Sequence, residues 1–301
     1  MEDIGNLIKK ATRNLNSKSK FHPNYQAALE NEEVKNFLVA NQTKITAEIV
    51  ENSLDNLYLF TQQLKSVRIQ TILQGYEPHL VLHGNLIEVT YAPGKKMQSQ
   101  IALNNAQKRI QLIDLPEKLK SVTLSELDKA PGREEALIKI ATFLKNYQTN
   151  SHTRGLYLEG SFGVGKTYLL AGLANVLAQN GTQVIFLHTP SFIASLPSFV
   201  KNSTLNAELD RIAQAPVVIF DDIGAETLSE WSRDDVLGVI FQKRMDNELP
   251  TFFSSNLDMA GLEKHFGETK NSLDELKAKR LMQRVRFLSE EVLVEGKNRR
   301  V

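Results

Sequence analysis

The segment Gly160-Ser161-Phe162-Gly163-Val164-Gly165-Lys166-Thr167 constrains this chain more than any other feature. It has the form G-x-x-x-x-G-K-[ST]. It lies between a short apolar run, Gly155 to Glu159, and a helical pattern, Thr167 to Ala178, that ends at Asn180-Gly181. A strand, a glycine-rich turn and a helix in that order make a phosphate cradle. Glycines let the backbone curl so that successive N–H groups converge on phosphate oxygens. The helix N-terminus adds partial positive charge and free donors. Lys166 is then placed to reach the β- and γ-phosphates of a nucleotide, and the Thr167 hydroxyl to ligate Mg2+. ATP and Mg2+ are the expected cofactors, held by residues Gly160 to Thr167.

A second signal lies about 55 residues on. Val217-Val218-Ile219-Phe220 is an apolar run that ends in Asp221-Asp222. A buried parallel strand with acids at its carboxyl end delivers them to the edge where open α/β sheets bind ligands. Asp221 is the expected Mg2+-side carboxylate, and Asp222 is placed to activate an attacking water. Another short strand, Thr251 to Ser255, ends at Asn256. Either this amide holds the attacking water or it caps the following turn, and the residues alone leave both open.

The rest of the second half alternates short apolar strands with helical patterns. Strands are predicted at 183–187 and 292–294. Helices are predicted at 133–147, at 191–213 with an interruption at Pro197, at 234–247 and at 272–287. That alternation implies a parallel, helix-covered sheet. The first half reads differently. Helices are predicted to begin near Asn31 and Thr43, followed by a hairpin of 79–82 and 86–91 about His83-Gly84-Asn85. From Ala92 to about Lys120 the chain is rich in Gln, Asn and Lys and reads as a partly helical junction. The expected organisation is a smaller, mainly helical domain over 1–110 with a short β-hairpin, a linker over 111–130 and an α/β domain over 131–301.

Composition removes several chemistries. With no Cys among 301 residues there are no disulfides, thiolate metal sites or cysteine nucleophiles. The formal net charge of +1 gives no overall pull on nucleic acid, so any such contact must be a local patch. No apolar run approaches the roughly 18 residues of a membrane span, and the first 20 residues lack the apolar core of a signal peptide. A cytoplasmic protein with no membrane partner is expected. His79 and His83 are read as ordinary histidines, and Phe192, Phe199 and Trp231 as core residues. The segment from Lys277 to Val301 holds eight basic residues against three acidic ones, with Arg280 and Arg284 one helical turn apart. Such a face is either simply solvated or presents an arginine to a nucleotide in a neighbouring subunit.

Together, Gly160 to Thr167, Phe220-Asp221-Asp222-Ile223-Gly224-Ala225-Glu226, Ser255-Asn256 and Arg280-Leu-Met-Gln-Arg284 resemble the AAA+ replicative helicase loaders, the DnaC/DnaI family. The resemblance implies a P-loop AAA+ ATPase fold, with a five-stranded parallel sheet, over about 120–301. It implies that Asn256 is the sensor-1 residue, that Arg284, or else Arg280, is the arginine finger, and that Arg299 or Arg300 serves as sensor 2. Asp222, Asn256 and Arg284 are thus the expected catalytic residues. The implied partners are the replicative hexameric DNA helicase, gripped by the N-terminal domain, single-stranded DNA, and further copies of the chain through the AAA+ domain. Lys201 is a candidate DNA contact. Two departures stand out. The family's N-terminal module includes zinc-binding members with Cys ligands, and this chain has none, so no zinc is expected and packing around Leu80, Leu82, Leu86 and Val89 takes the place of a metal. Asp222 stands where many AAA+ ATPases carry Glu, and the shorter side chain implies slow ATP hydrolysis without partners. The competing readings are a transposition-type AAA+ ATPase, a nucleotide-gated adaptor with little turnover, and, least supported, a small-molecule kinase.

Overall fold

A computed structural model describes residues 24–65, 75–127, 132–269 and 273–299. The chain divides into two compact units, Met1–Ile101 and Ala102–Val301.

Among its described residues the first unit begins with four helices and a hairpin. Helix α1 spans Asn24–Glu30, α2 Glu32–Ala40, α3 Ala47–Asn52 and α4 Leu54–Lys65; strands β1, Tyr76–His83, and β2, Leu86–Pro93, pair antiparallel. Asn31 starts α2, its side chain accepting from the N–H groups of Glu33 and Val34. The helix predicted to begin near Thr43 starts later, capped by Thr46, and gives way to α4 after Ser53. The Ser53 hydroxyl donates to Ile49 O at 2.6 Å and accepts from Ile87 N at 2.7 Å, tying the helical turn to β2. The core is Leu29, Val34, Leu38, Ile49, Leu54, Leu57 and Phe60, with Leu80, Leu82 and Val89 packed against it. Ile87, fully buried, joins that core rather than its neighbour Leu86. Period-two alternation explains the exchange.

The second unit is a parallel sheet with helices on both faces. Helix α5, Lys95–Arg109, leads into β3, Ile110–Ile113. Then follow α6 (Glu134–Tyr147), β4 (Gly155–Glu159), α7 (Lys166–Gln179), β5 (Val184–His188), α8 (Thr189–Lys201), α9 (Leu205–Gln214) and β6 (Val217–Asp221). The chain closes with α10 (Gly238–Asp246), β7 (Thr251–Ser255), α11 (Met259–Gly267), α12 (Glu275–Leu288) and β8 (Ser289–Leu293). The sheet has six strands in the order β3-β5-β6-β7-β4-β8, not the expected five. The addition is β3, which pairs in parallel with Val184 to Leu187. Its four residues were hidden in sequence by the polar Gln, Asn and Lys of α5, yet Ile110 is buried and Arg109 anchors the strand by donating to Ala178 O at 3.1 Å.

Two further expectations change. Pro197 does not interrupt its helix. It lies on the exposed side of α8, where it removes one backbone donor, and the break comes at Asn202–Thr204, with Ser203 at φ +56°. The helix predicted from 234 begins as a wide π turn over Ser232–Leu237 before α10. Trp231, expected in the core, is 39% exposed, whereas Phe192 is buried and Phe199 packs on it. Among the described residues no helix is long and apolar enough to cross a membrane.

Beneath one face, Arg244 is completely buried. Its guanidinium donates to the carbonyls of Ile212, Ala213, Ala215 and Pro250 and to Thr251 Oγ1. It thereby joins the end of α9, just before β6, to the start of β7. Those two strands carry the acidic and amide residues of the site at their opposite ends.

Candidate functional site

Because the sheet is parallel, the carboxyl ends of β4, β5, β6 and β7 share one edge. The residues there are Glu159 and the phosphate loop, His188, Asp221-Asp222, and Ser255-Asn256. The phosphate loop, His188, Asp221, Asp222 and Asn256 line a cleft of about 790 Å3.

Lys166, the first residue of α7, is nearly buried. Its ammonium donates to Gly160 O at 2.6 Å, Ser161 O at 3.0 Å and Asn256 Oδ1 at 2.8 Å. The three donors are thus aimed at three oxygens, so the cation is fixed across the mouth of the loop. The Asn256 amide turns its other end to Asp222, with Nδ2 donating to Oδ1 at 3.0 Å. One side chain therefore connects the phosphate-loop lysine to the second carboxylate. The Asn256 side chain thus faces the cleft.

Asp221 is 4% exposed. One oxygen, Oδ1, accepts from Thr167 Oγ1 at 2.8 Å and from Ser254 Oγ at 2.5 Å. Burial pushes its carboxyl above the usual carboxylate range, against the downward pull of those two hydrogen bonds. A desolvated carboxylate beside a threonine hydroxyl is a fitting donor pair for a small hard cation. Asp222 stands at φ +57°, held there by its N–H donating to Ser254 Oγ at 2.9 Å. This backbone twist turns its carboxylate toward the cleft, where the His188 Nε2 lies 4.0 Å from Oδ2.

Beyond Asp222, Glu226 is buried and braces the turn. Its Oε2 accepts from Gly224 N at 2.8 Å and its Oε1 stands 3.1 Å from His265 Nε2 of α11. The other wall of the cleft comes from Asp114, Leu115, Pro116, Leu119 and Leu127, beside Tyr168. This wall is largely apolar, with Lys118 among its residues.

The structure brings Gly160 to Thr167, Asp221, Asp222 and Asn256 together. It does not bring Arg284 to them. Arg284 donates to Gly238 O at 2.9 Å and does not line the cleft, and Arg280 is exposed on α12. Arg299 lines the cleft, and its N–H donates to Gly163 O at 3.1 Å, while Arg300 lies outside the described residues. Lys201 is exposed at the end of α8. Sequence reasoning missed Ser254, His188 and Arg133. The first two had a signal, for each lies at or next to the end of a strand on the ligand-binding edge. Arg133 had none, since Gly132-Arg133 reads as an exposed helix start.

Comparison with known proteins places this geometry. The family model described as "Primosomal protein DnaI N-terminus" matches residues 1–91, and that described as "IstB-like ATP binding protein" matches 103–301. The "Replicative helicase loader DnaI" of Bacillus subtilis (strain 168) is 32% identical over 311 residues, covering 100% of this chain and 99% of that protein. The chain belongs to the DnaC/DnaI family of helicase loaders. Solved structures agree with that membership. A crystal structure of DnaI superposes with a TM-score of 0.57 at 37% identity, covering 65% of this chain and 99% of that one. A putative primosome component from Streptococcus pyogenes serotype M3 gives 0.55 at 40% identity, covering 67% and 100%. The IstB-like ATP-binding match thus falls on the second unit. Among the described residues of this loader, no cluster of three or more His, Asp or Glu is arranged to hold a metal ion.

Proposed function

We propose that this chain is an ATP-dependent loader of the replicative DNA helicase, with ATP bound and hydrolysed in the cleft at the carboxyl edge of the sheet. The observation that carries the reading is the continuous chain of contacts Lys166–Asn256–Asp222 beside Thr167–Asp221–Ser254. The phosphate loop and Lys166 hold the triphosphate. Thr167 and Asp221 would hold Mg2+, which would offset charge on the phosphate oxygens. Asp222 accepts a proton from the attacking water, oriented by Asn256. The apolar wall of Leu115, Leu119 and Leu127 receives the nucleoside. Zinc has no part in this proposal.

The N-terminal unit, which ends at Ile101, grips the helicase, and the unit from Ala102 onward, with β3 in its sheet in place of the linker expected at 111–130, is the AAA+ domain. Single-stranded DNA contacts the AAA+ domain. Copies of the chain associate so that Arg284 of one reaches the nucleotide of the next, for which it must leave the Gly238 carbonyl. These events take place in the cytoplasm.

The test uses the full chain and its Lys166→Ala variant. The wild type is expected to bind ATP and to release phosphate slowly, faster with helicase and single-stranded DNA. Lys166→Ala is expected to lose ATP binding and loading but still capture the helicase. Loss of helicase capture by that variant would contradict the division of labour. The transposition reading draws on the IstB-like match over 103–301. It is disfavoured by the DnaI-type match over residues 1–91, and it predicts capture of a transposase instead.

A further inference from the structure

We infer that Arg133 is a positioning residue of the phosphate loop, an inference that rests on reading the cleft as an ATP site. Arg133 immediately precedes α6, in a sequence context that reads as a solvent-facing helix start, yet it is 2% exposed. Its Nη2 donates to the carbonyl of Val164, in the middle of the loop. The guanidinium occupies the space that a side chain at position 165 would need: a Cβ on Gly165 would stand 2.4 Å from Arg133 Nη2. Gly165 is at φ +99°, a backbone conformation that favours glycine, and the guanidinium rests against it.

The consequence for phosphate binding follows from peptide geometry. A trans peptide is planar, and its C=O and N–H point in opposite directions. Fixing the Val164 carbonyl on Arg133 therefore fixes the Gly165 N–H to point away from Arg133. The preceding peptide is held likewise, since Gly163 O accepts from Arg299 N at 3.1 Å, which fixes the Val164 N–H. Gly160 O and Ser161 O are taken by Lys166. The carbonyls of Gly160, Ser161, Gly163 and Val164 are thus engaged by cations or backbone donors, which sets the direction of the N–H groups that share their peptides. Arg133 is itself on a fixed footing, because the adjoining Gly132 O accepts from Glu295 N at 2.9 Å. It also adds a permanent positive charge beside the cradle, which Arg retains at any working pH.

The experiment compares wild type, Arg133→Gln and Arg133→Lys as full chains. Affinities for ATP with Mg2+ and for adenosine are measured by titration and displacement. Arg133→Gln is expected to weaken ATP about tenfold or more, the size of a lost charge-assisted hydrogen bond, and to leave adenosine within about twofold. Arg133→Lys keeps the charge but not the planar fork and is expected to fall between. If Arg133→Gln does not fold, Arg133→Lys carries the test on the same two ligands. Wild-type ATP affinity in the variant that folds overturns the inference. So does an equal loss for adenosine, which would mark a general loosening of the cleft. A wild-type chain that does not bind ATP overturns the nucleotide reading itself, and this inference with it.

Discussion

The Lys166 ammonium lies 2.8 Å from the Asn256 side-chain oxygen, which joins the phosphate loop to the end of β7. The same amide holds Asp222. Asn256→Ala is expected to lower kcat by about 10- to 100-fold, as for loss of one preorganised polar group, while ATP affinity changes less than about threefold. Single-turnover hydrolysis beside equilibrium ATP binding separates the two effects. A variant in which affinity falls as much as rate would make Asn256 a binding residue only.

Asp221 gives a pH signature. Its carboxyl is raised in the folded chain by burial. A raised carboxyl contributes stability below its unfolded value, and that contribution is lost as pH rises through the folded value. At neutral pH the ionised, desolvated group is therefore a net cost to the nucleotide-free chain. Asp221→Asn, which keeps the acceptor for Thr167 and Ser254, should melt a few degrees higher than wild type at pH 7.5. The advantage should vanish toward pH 4. Mg2+ with ATP should stabilise wild type and not the variant. Thermal melts across pH test all three statements.

Glu226 acts on Asp222 through the turn between them. Glu226→Gln keeps an acceptor for Gly224 N–H but weakens the contact with His265. Hydrolysis is expected to slow about three- to tenfold, in line with loss of a charge-assisted hydrogen bond, with ATP affinity unchanged. Loss of affinity instead would place the residue in binding.

Arg244 is a stability prediction. Burial pulls its guanidinium down to about 9, so it remains charged at neutral pH while facing four carbonyls and a hydroxyl. Arg244→Met leaves those acceptors unsatisfied and should cost about 3–5 kcal/mol in urea unfolding. Arg244→Lys, with fewer donors, should fall between.

Much of the second unit was legible because its elements announce themselves. Strands β4, β5, β6 and β7 are short apolar runs bounded by turns, and each site residue stands at or just beyond the end of one. The strand β3 was not legible, since four residues beside a polar helix carry no periodicity of their own. The π turn at Ser232 and the unbroken helix through Pro197 depend on tertiary packing that overrides local preference. Arg133 was invisible for a related reason. A long cationic side chain at a helix start is ordinarily solvated, and only the fold shows that the phosphate loop covers it. Arg284 was legible as a motif, but in the fold it donates to Gly238 O and does not line the cleft.

The strand order has a consequence for how the chain reaches this state. Strand β4, which carries the phosphate loop, pairs with β7 and β8, and none of its sheet neighbours is adjacent in sequence. Contacts of such long range form late and slowly, because the intervening loops must first be closed. The loop therefore gains its final shape only when residues 251–255 and 289–293 have taken their places. A nucleotide that recognises that shape rewards complete assembly and nothing short of it. In refolding, ATP is expected to leave the early collapse untouched and to slow the escape from the finished sheet.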